Sequence, residues 1–131
     1  MAALDTNVVI RLLVGDDMAQ ARAAEAMVSA EPCTVSMSVL MECEWVLRAC
    51  YELQAPVIEA SLRDFLNLEN IIAADTVLAQ RVLDAYAAGL DFADALHAAQ
   101  CPEGQRFVTF DKNFVQRASK AGLRGVTLLK V

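Results

Sequence analysis

Short apolar runs alternate with longer stretches of helical periodicity along the whole chain. The runs at residues 2–4, 33–36, 71–73, 107–110 and 126–131 have the length and composition of buried strands. Between them, helical patterns cover residues 8–13, 18–30, 38–53, 56–68, 75–89, 91–100 and 112–121. Because strands separated by helices favour parallel pairing, we expect an α/β fold with a short parallel sheet covered by helices on both faces.

Several element boundaries carry recognisable signals. Ser38 is expected to cap the third helix, and Pro56 suits the first turn of the fourth. Gly15 is expected to break the first helix and Gly122 to end the last one. The chain has 131 residues and shows no repeat, low-complexity stretch or linker, so we expect residues 1–131 to form a single domain.

The composition excludes several classes of protein. Hydrophobic residues make up 56% of the chain and charged residues 21%, which excludes a disordered tail. No run of 18 uncharged apolar residues occurs, so no transmembrane segment is expected. The start of the chain reaches Asp5 without a basic segment, so no secretory signal is expected either.

The four cysteines predict neither a zinc site nor a disulfide framework. No Cys-x-x-Cys pair occurs, and the chain has one histidine. Cys43 and Cys50 lie seven residues apart on one predicted helix, and we expect both to pack in the core. Free core thiols suit a reducing cytosol, which predicts a cytoplasmic location.

Acidic side chains follow two of the predicted strands. Asp5 ends the first strand and Asp111 ends the fourth. Ligands of open parallel sheets bind beyond the carboxyl ends of the strands. If these two strands are neighbours, their aspartates meet at one edge of the sheet.

Three further carboxylates lie off the apolar faces of their helices. Glu42 falls at the rim of a predicted buried stripe formed by Val39, Leu40, Cys43, Val46, Leu47 and Cys50. Asp91 and Asp94 lie at the start of a later helix, three residues apart and off its apolar face. Each carboxylate taken alone is also explained as a helix cap, a turn residue or a solvated charge.

Together the carboxylates predict a site for a hard cation. Two of them 4 Å apart repel by about 4 kcal/mol at an effective dielectric constant near 20. A divalent cation removes that penalty, and oxygen ligands select Mg²⁺, with Mn²⁺ as the alternative. The chain has 17 acidic and 11 basic residues, a net charge of −6, which argues against a polyanionic partner unless several acids are grouped around a metal.

Four segments resemble the PIN-domain ribonucleases. They are Asp5-Thr6-Asn7, Glu42 in the segment from Ser38 to Leu47, Asp94 in Asp91-Phe92-Ala93-Asp94, and Asp111 in Thr109-Phe110-Asp111-Lys112-Asn113-Phe114. Each is short, but they occur in the family's order and spacing over nearly the whole chain. Within that family the chain looks like VapC-like toxins of type II toxin–antitoxin systems. His97 and Cys101 depart from the small apolar residues usual in their stretch.

The resemblance implies a fold, an activity and a set of roles. It implies a three-layer α/β/α sandwich and metal-dependent endonuclease cleavage of RNA. Asp5, Glu42, Asp94 and Asp111 would be the catalytic metal ligands. The same resemblance gives supporting roles to Thr6, Asn7, Asp91 and Thr109. It also implies an RNA substrate, a cognate antitoxin, and a homodimer or higher toxin–antitoxin assembly, without a membrane partner.

The sequence alone leaves several residue roles and two alternative functions open. The basic residues Arg11, Lys112, Arg117 and Lys120 are candidates to contact the RNA backbone, or ordinary solvated charges. His97 is either a general base or a surface residue, and Trp45 either a protein contact or a packed side chain. Two other functions compete: a catalytically silent PIN-fold binding protein, and another Mg²⁺-dependent phosphoryl-transfer hydrolase. An example of the second is a haloacid-dehalogenase-like phosphatase, whose chemistry needs Asp-x-Asp, whereas Asn7 stands at the second position.

Overall fold

The computed structural model describes all of residues 1–131 and divides the chain into two compact units. The first unit is Met1–Thr76 and the second is Val77–Val131. Seven helices and five short strands make up the chain. None of the helices combines the length and the apolar character that crossing a membrane requires.

The first unit is built on three parallel strands. These are β1 (Ala2–Ala3), β2 (Cys33–Val35) and β3 (Ile71–Ala73), in the order β1-β2-β3. Ala2 pairs with Cys33, and Cys33 pairs with Ile71. Helices α1 (Thr6–Val14) and α2 (Met18–Ala30) connect β1 to β2, and helices α3 (Met37–Ala49) and α4 (Ala55–Leu66) connect β2 to β3.

The second unit contains a two-stranded parallel sheet and three helices. Strand β4 (Phe107–Thr109) pairs with β5 (Val126–Leu128), and Phe107 lies opposite Val126. The helices are α5 (Thr76–Ala87), which begins at the last residue of the first unit, α6 (Phe92–Ala99) and α7 (Lys112–Lys120). Two aromatic pairs support this unit: Tyr86 meets Phe92 edge-on, and Phe107 lies against Phe114.

The expected α/β fold with short parallel strands is confirmed. The strands divide into a three-stranded and a two-stranded sheet, and β1 pairs with β2 while β4 pairs with β5. The expectation that Asp5 and Asp111 meet at one sheet edge depended on β1 and β4 being neighbours. These two strands are not hydrogen-bonded to each other. Strands of two or three residues form few backbone hydrogen bonds with a neighbouring strand. Which strands pair therefore depends more on packing against the rest of the fold than on the residues of the strands themselves.

The first unit has an apolar core drawn from strands and helices, and the core of the second is drawn from its helices. In the first unit it includes Val9, Val35, Leu40, Leu47, Ile58 and Leu62, all at most 1% exposed. In the second it includes Val82, Leu83, Phe92, Ala95 and Ala118, all at most 2% exposed. Burial of these side chains holds the strand–helix junctions that carry the acidic residues.

The helix boundaries confirm some predicted signals and correct one. Pro56 lies in the first turn of α4, and Gly15 ends α1 with φ of 69°, a left-handed conformation that glycine adopts readily. The cap of α3 is Ser36 and not Ser38, because the Ser36 hydroxyl accepts the Val39 N–H at 3.2 Å. Ser38 bonds the Ser36 hydroxyl instead.

The buried face of α3 keeps Leu40, Cys43 and Leu47 from the predicted one, but adds Met37 and Glu44, while Val39 and Val46 are half-buried and Cys50 is exposed. Cys43 is fully buried as expected, but Cys50 is exposed, because α3 ends at Ala49 and Cys50 follows as its cap. Glu44 is 3% exposed and pairs with Arg48 through two hydrogen bonds of 2.9 and 3.3 Å. The face runs through positions 37, 40, 44 and 47, so one carboxylate lies in the core side of the helix.

Candidate functional site

Asp5 lies at the junction between β1 and α1. It is the N-cap of α1, and its Oδ1 accepts the Thr6 N–H at 2.8 Å. The expected support from Thr6 is thus a backbone hydrogen bond, while the Thr6 side chain is buried. Asp5 itself is exposed, and Oδ2 makes no hydrogen bond within the protein. One carboxylate oxygen is thereby fixed while the other remains available to a ligand.

Glu42 lines the same cleft as Asp5 within the first unit. The cleft has a volume of about 590 Å³, and Asn7 contributes to its wall. Because β1 and β2 are parallel neighbours, Asp5 and the start of α3 both lie at the carboxyl ends of those strands. The first unit therefore brings together two of the four predicted ligands.

The charges of Asp5 and Glu42 both affect the pKa of the Cys43 thiol. Burial, with smaller contributions from the charges of Glu42 and Asp5, raises the pKa of the Cys43 thiol to about 12. At neutral pH the thiol is therefore protonated and apolar in character. This buried thiol is unsuited to act as a nucleophile or as a soft-metal ligand.

A polar network that the sequence does not predict forms another part of the cleft wall. Tyr51 donates its hydroxyl to Asp16 Oδ2 at 2.7 Å, and Arg11 Nη1 donates to Asp16 Oδ1 at 3.1 Å. Arg11 Nε also donates to Gln20 at 2.7 Å. The Tyr51 hydrogen bond, more than the Arg11 charge, lowers the pKa of Asp16. Arg11 is thus held at the cleft and is not a freely solvated charge.

The second unit holds the other predicted acids. Asp91 is the N-cap of α6, and its Oδ2 accepts the Asp94 N–H at 3.1 Å. Asp94 lies in the first turn of α6 and is half-buried. No hydrogen bond or ion pair within the protein involves the Asp94 carboxylate oxygens.

Asp111 is fixed at the junction between β4 and α7. It caps α7, with Oδ1 accepting the Phe114 N–H at 3.1 Å. Its own N–H donates to the Thr109 hydroxyl at 3.0 Å. The supporting role that the resemblance implies for Thr109 therefore has a physical form: the hydroxyl orients the backbone that presents Asp111.

Asp94 is the carboxyl group whose ionised form the second unit disfavours. Burial raises its pKa, and the nearby charges of Asp91 and Asp111 raise it further. His97 and Arg117 act in the opposite direction and are weaker causes. These electrostatic effects indicate that Asp91, Asp94 and Asp111 lie close enough to repel one another, with Arg117 nearby.

The remaining predicted side chains are exposed. His97 lies on α6 near Asp94, and Lys112 and Lys120 lie at the two ends of α7. Trp45 is 54% exposed on α3, so it is not a packed side chain. No group of three or more His, Cys, Asp or Glu side chains is arranged to hold a metal ion.

Replacing Asp94 by Asn is expected to stabilise the protein at neutral pH. A carboxyl whose pKa is raised by folding binds its proton more tightly in the native state, so its contribution to stability falls as pH rises. Asn removes this loss without changing the size of the side chain. The melting temperature in EDTA should therefore rise at pH 7, and the difference should shrink as the pH approaches the ordinary carboxyl pKa.

Asp64→Asn, at an exposed position on α4, controls for the loss of one negative charge. It should leave the melting temperature at pH 7 nearly unchanged. An Asp94→Asn variant that melts at or below the temperature of the parent at pH 7 would show that repulsion around Asp94 does not limit stability.

Comparison with known proteins assigns the family. The model of the PIN domain family matches residues 2–120. No curated protein and no solved structure matches the chain. The PIN domain is generally a metal-dependent nuclease fold. Because the match covers more than nine-tenths of the sequence, the chain belongs to the PIN domain family.

Proposed function

We propose that this protein is a Mg²⁺-dependent endoribonuclease and that Asp5, Glu42, Asp94 and Asp111 are its catalytic metal ligands. The observation that carries the proposal is the family match over residues 2–120 in a chain with an acid at each of these positions. The nuclease domain would span the whole chain.

The donor chemistry of these side chains supports Mg²⁺. All four are carboxylates, and hard oxygen donors are the ligands that Mg²⁺ and Mn²⁺ prefer. Asp5 and Asp111 each use one oxygen for a helix cap and keep the other free. Glu42 lines an open cleft, and Asp94 has a raised pKa that a cation would lower again.

Bound Mg²⁺ would activate water and offset charge on the scissile phosphate. The chain's own residues would set the geometry for that chemistry. The N-cap hydrogen bonds of Asp5 and Asp111 restrict the side-chain rotamers, and Thr109 fixes the backbone beside Asp111. Arg11 and Arg117 would hold RNA phosphates near the acids. The expected products carry a 5′-phosphate and a 3′-hydroxyl.

Asp5→Asn is expected to abolish RNA cleavage while leaving the fold intact. Asn is also a good N-cap, so helix α1 should keep its start, whereas Ala would cost about 1 kcal/mol. The loss of a charged metal ligand should reduce the cleavage rate by more than about 100-fold, beyond the effect typical of outer-shell partners. Gel assays of RNA cleavage in Mg²⁺, with circular dichroism for the fold, make the measurement.

Asp17→Asn is the matched control, because Asp17 is also an exposed aspartate N-cap, on α2, and accepts the Gln20 N–H. This variant should cleave RNA at the parental rate. EDTA should stop cleavage and added Mg²⁺ or Mn²⁺ should restore it. Full activity in Asp5→Asn, or cleavage that persists in EDTA, contradicts the proposed site. Mg²⁺ binding without any cleavage favours a silent PIN-fold binding protein.

The finer proposal is that this nuclease is the VapC-like toxin of a type II toxin–antitoxin pair in the cytoplasm. It rests on the resemblance of the four acidic segments and on free thiols at all four cysteines, which suit a reducing compartment. A cognate antitoxin would block the acidic cleft, for which an arginine side chain is suited, and a homodimer or higher assembly would form.

Induced expression in a bacterial host should arrest growth if the protein is a toxin. The Asp5→Asn variant should not arrest growth, and co-expression of the cognate antitoxin should relieve the arrest. Cell density and intact RNA are the readouts. Equal growth arrest by the parent and by Asp5→Asn would show that the effect does not come from the nuclease.

A further inference from the structure

Phe110 is a large apolar side chain in an unusual position. It lies between Thr109, the last residue of β4, and Asp111, the cap of α7. The residue is 69% exposed, whereas the two other phenylalanines of this segment, Phe107 and Phe114, pack against each other. The fold of the second unit gains little from the burial of Phe110.

The backbone on both sides of Phe110 is fixed. The Thr109 carbonyl accepts the Leu129 N–H at 2.8 Å, and the Thr109 hydroxyl accepts the Asp111 N–H at 3.0 Å. Asp111 Oδ1 then accepts the Phe114 N–H in the first turn of α7. A ring presented from such a junction loses little conformational entropy when it binds a partner.

Cationic side chains lie on the helix that follows Phe110, beside the proposed metal ligand Asp111. Lys112 follows Asp111 directly and is exposed, and Arg117 on the same helix α7 lies close enough to act on Asp94. An aromatic face beside cationic side chains is the combination that binds single-stranded nucleic acid, through stacking on bases and contacts to phosphates. The cores of protein–protein interfaces are instead depleted of charged residues.

We propose that Phe110 is a base-stacking residue that binds an unpaired nucleobase of the RNA next to the phosphate presented to Asp111. This inference rests on the proposed nuclease function and adds a positioning residue to it. Bases in a duplex are covered on both faces by their neighbours, so stacking on Phe110 requires an unpaired nucleotide. The side chain would thereby favour cleavage in single-stranded segments and loops.

Substitutions at Phe110 separate stacking from a general apolar contact. Phe110→Trp keeps an aromatic plane, Phe110→Leu keeps apolar bulk without one, and Phe110→Ala removes both. The probe is a single-stranded RNA containing 2-aminopurine, in a Ca²⁺ buffer shown to leave the RNA intact. We expect Ala and Leu to weaken binding by about 5- to 100-fold and to lose the stacking-dependent fluorescence quench. Trp should keep both within a few-fold.

Cleavage assays in Mg²⁺ give an independent readout. The loss of a stacking contact should raise KM and change kcat little, because stacking binds the ground state and the transition state alike. Activity on a duplex RNA of the same sequence should be low and insensitive to Phe110. Val77→Ala, at another exposed apolar side chain of the second unit, should match the parent in both assays.

The outcomes distinguish failure of the inference from failure of the proposed function. If the parent cleaves RNA and Phe110→Ala binds and cleaves like the parent, Phe110 does not stack and the nuclease proposal stands. If Leu supports binding as well as Phe does, the residue is an apolar contact for another partner, such as a protein. If the parent neither binds nor cleaves any RNA tested, both proposals are overturned.

Discussion

The hydrogen bond between an aspartate and the first backbone N–H groups of a helix is the interaction on which this structure depends most. Asp5, Asp91 and Asp111 each cap a helix in this way, and Asp5 and Asp111 do so where a strand has just ended. Such a cap contributes about 1 kcal/mol to stability. It also fixes the position of a carboxylate, so the same contact that starts the helix orients a candidate ligand.

An aspartate that caps a helix can also be a metal ligand, so these two interpretations of the acids do not exclude each other. A cap uses one carboxylate oxygen, Oδ1 in both Asp5 and Asp111, and leaves Oδ2 free. The favourable field of a helix N-terminus tolerates the negative charge. A capping aspartate can therefore also bind a metal ion through its second oxygen.

The charges of the candidate ligands act on neighbouring titratable groups in each unit. Burial together with Glu42 and Asp5 brings the pKa of Cys43 to about 12, and burial together with Asp91 and Asp111 raises the pKa of Asp94. Sequences selected for stability alone would disperse these charges. Functional sites commonly trade stability for activity, and a bound divalent cation would offset the repulsion at Asp94.

Local signals in the sequence predicted most elements, because helix periodicity, Pro56 and Gly15 act within a few residues. The cap at Ser36 was misassigned by two residues, and Cys50 was placed in the core because the predicted helix was too long. The burial of Glu44 could have been predicted, because it lies four residues after Leu40 and three before Leu47, with Arg48 one turn away to pair with its charge. The Tyr51–Asp16 bond joins residues 35 apart and had no local signal.

The proposal that most needs a test is that Asp5, Glu42, Asp94 and Asp111 are all metal ligands. Titration with Mn²⁺, followed by the paramagnetic broadening of NMR signals near Asp5, Glu42, Asp94 and Asp111, tests it most directly. The account predicts that signals near all four residues broaden together with one common midpoint, and that excess Mg²⁺ reverses the broadening. Broadening that leaves the signals near any of the four residues unchanged would contradict the account.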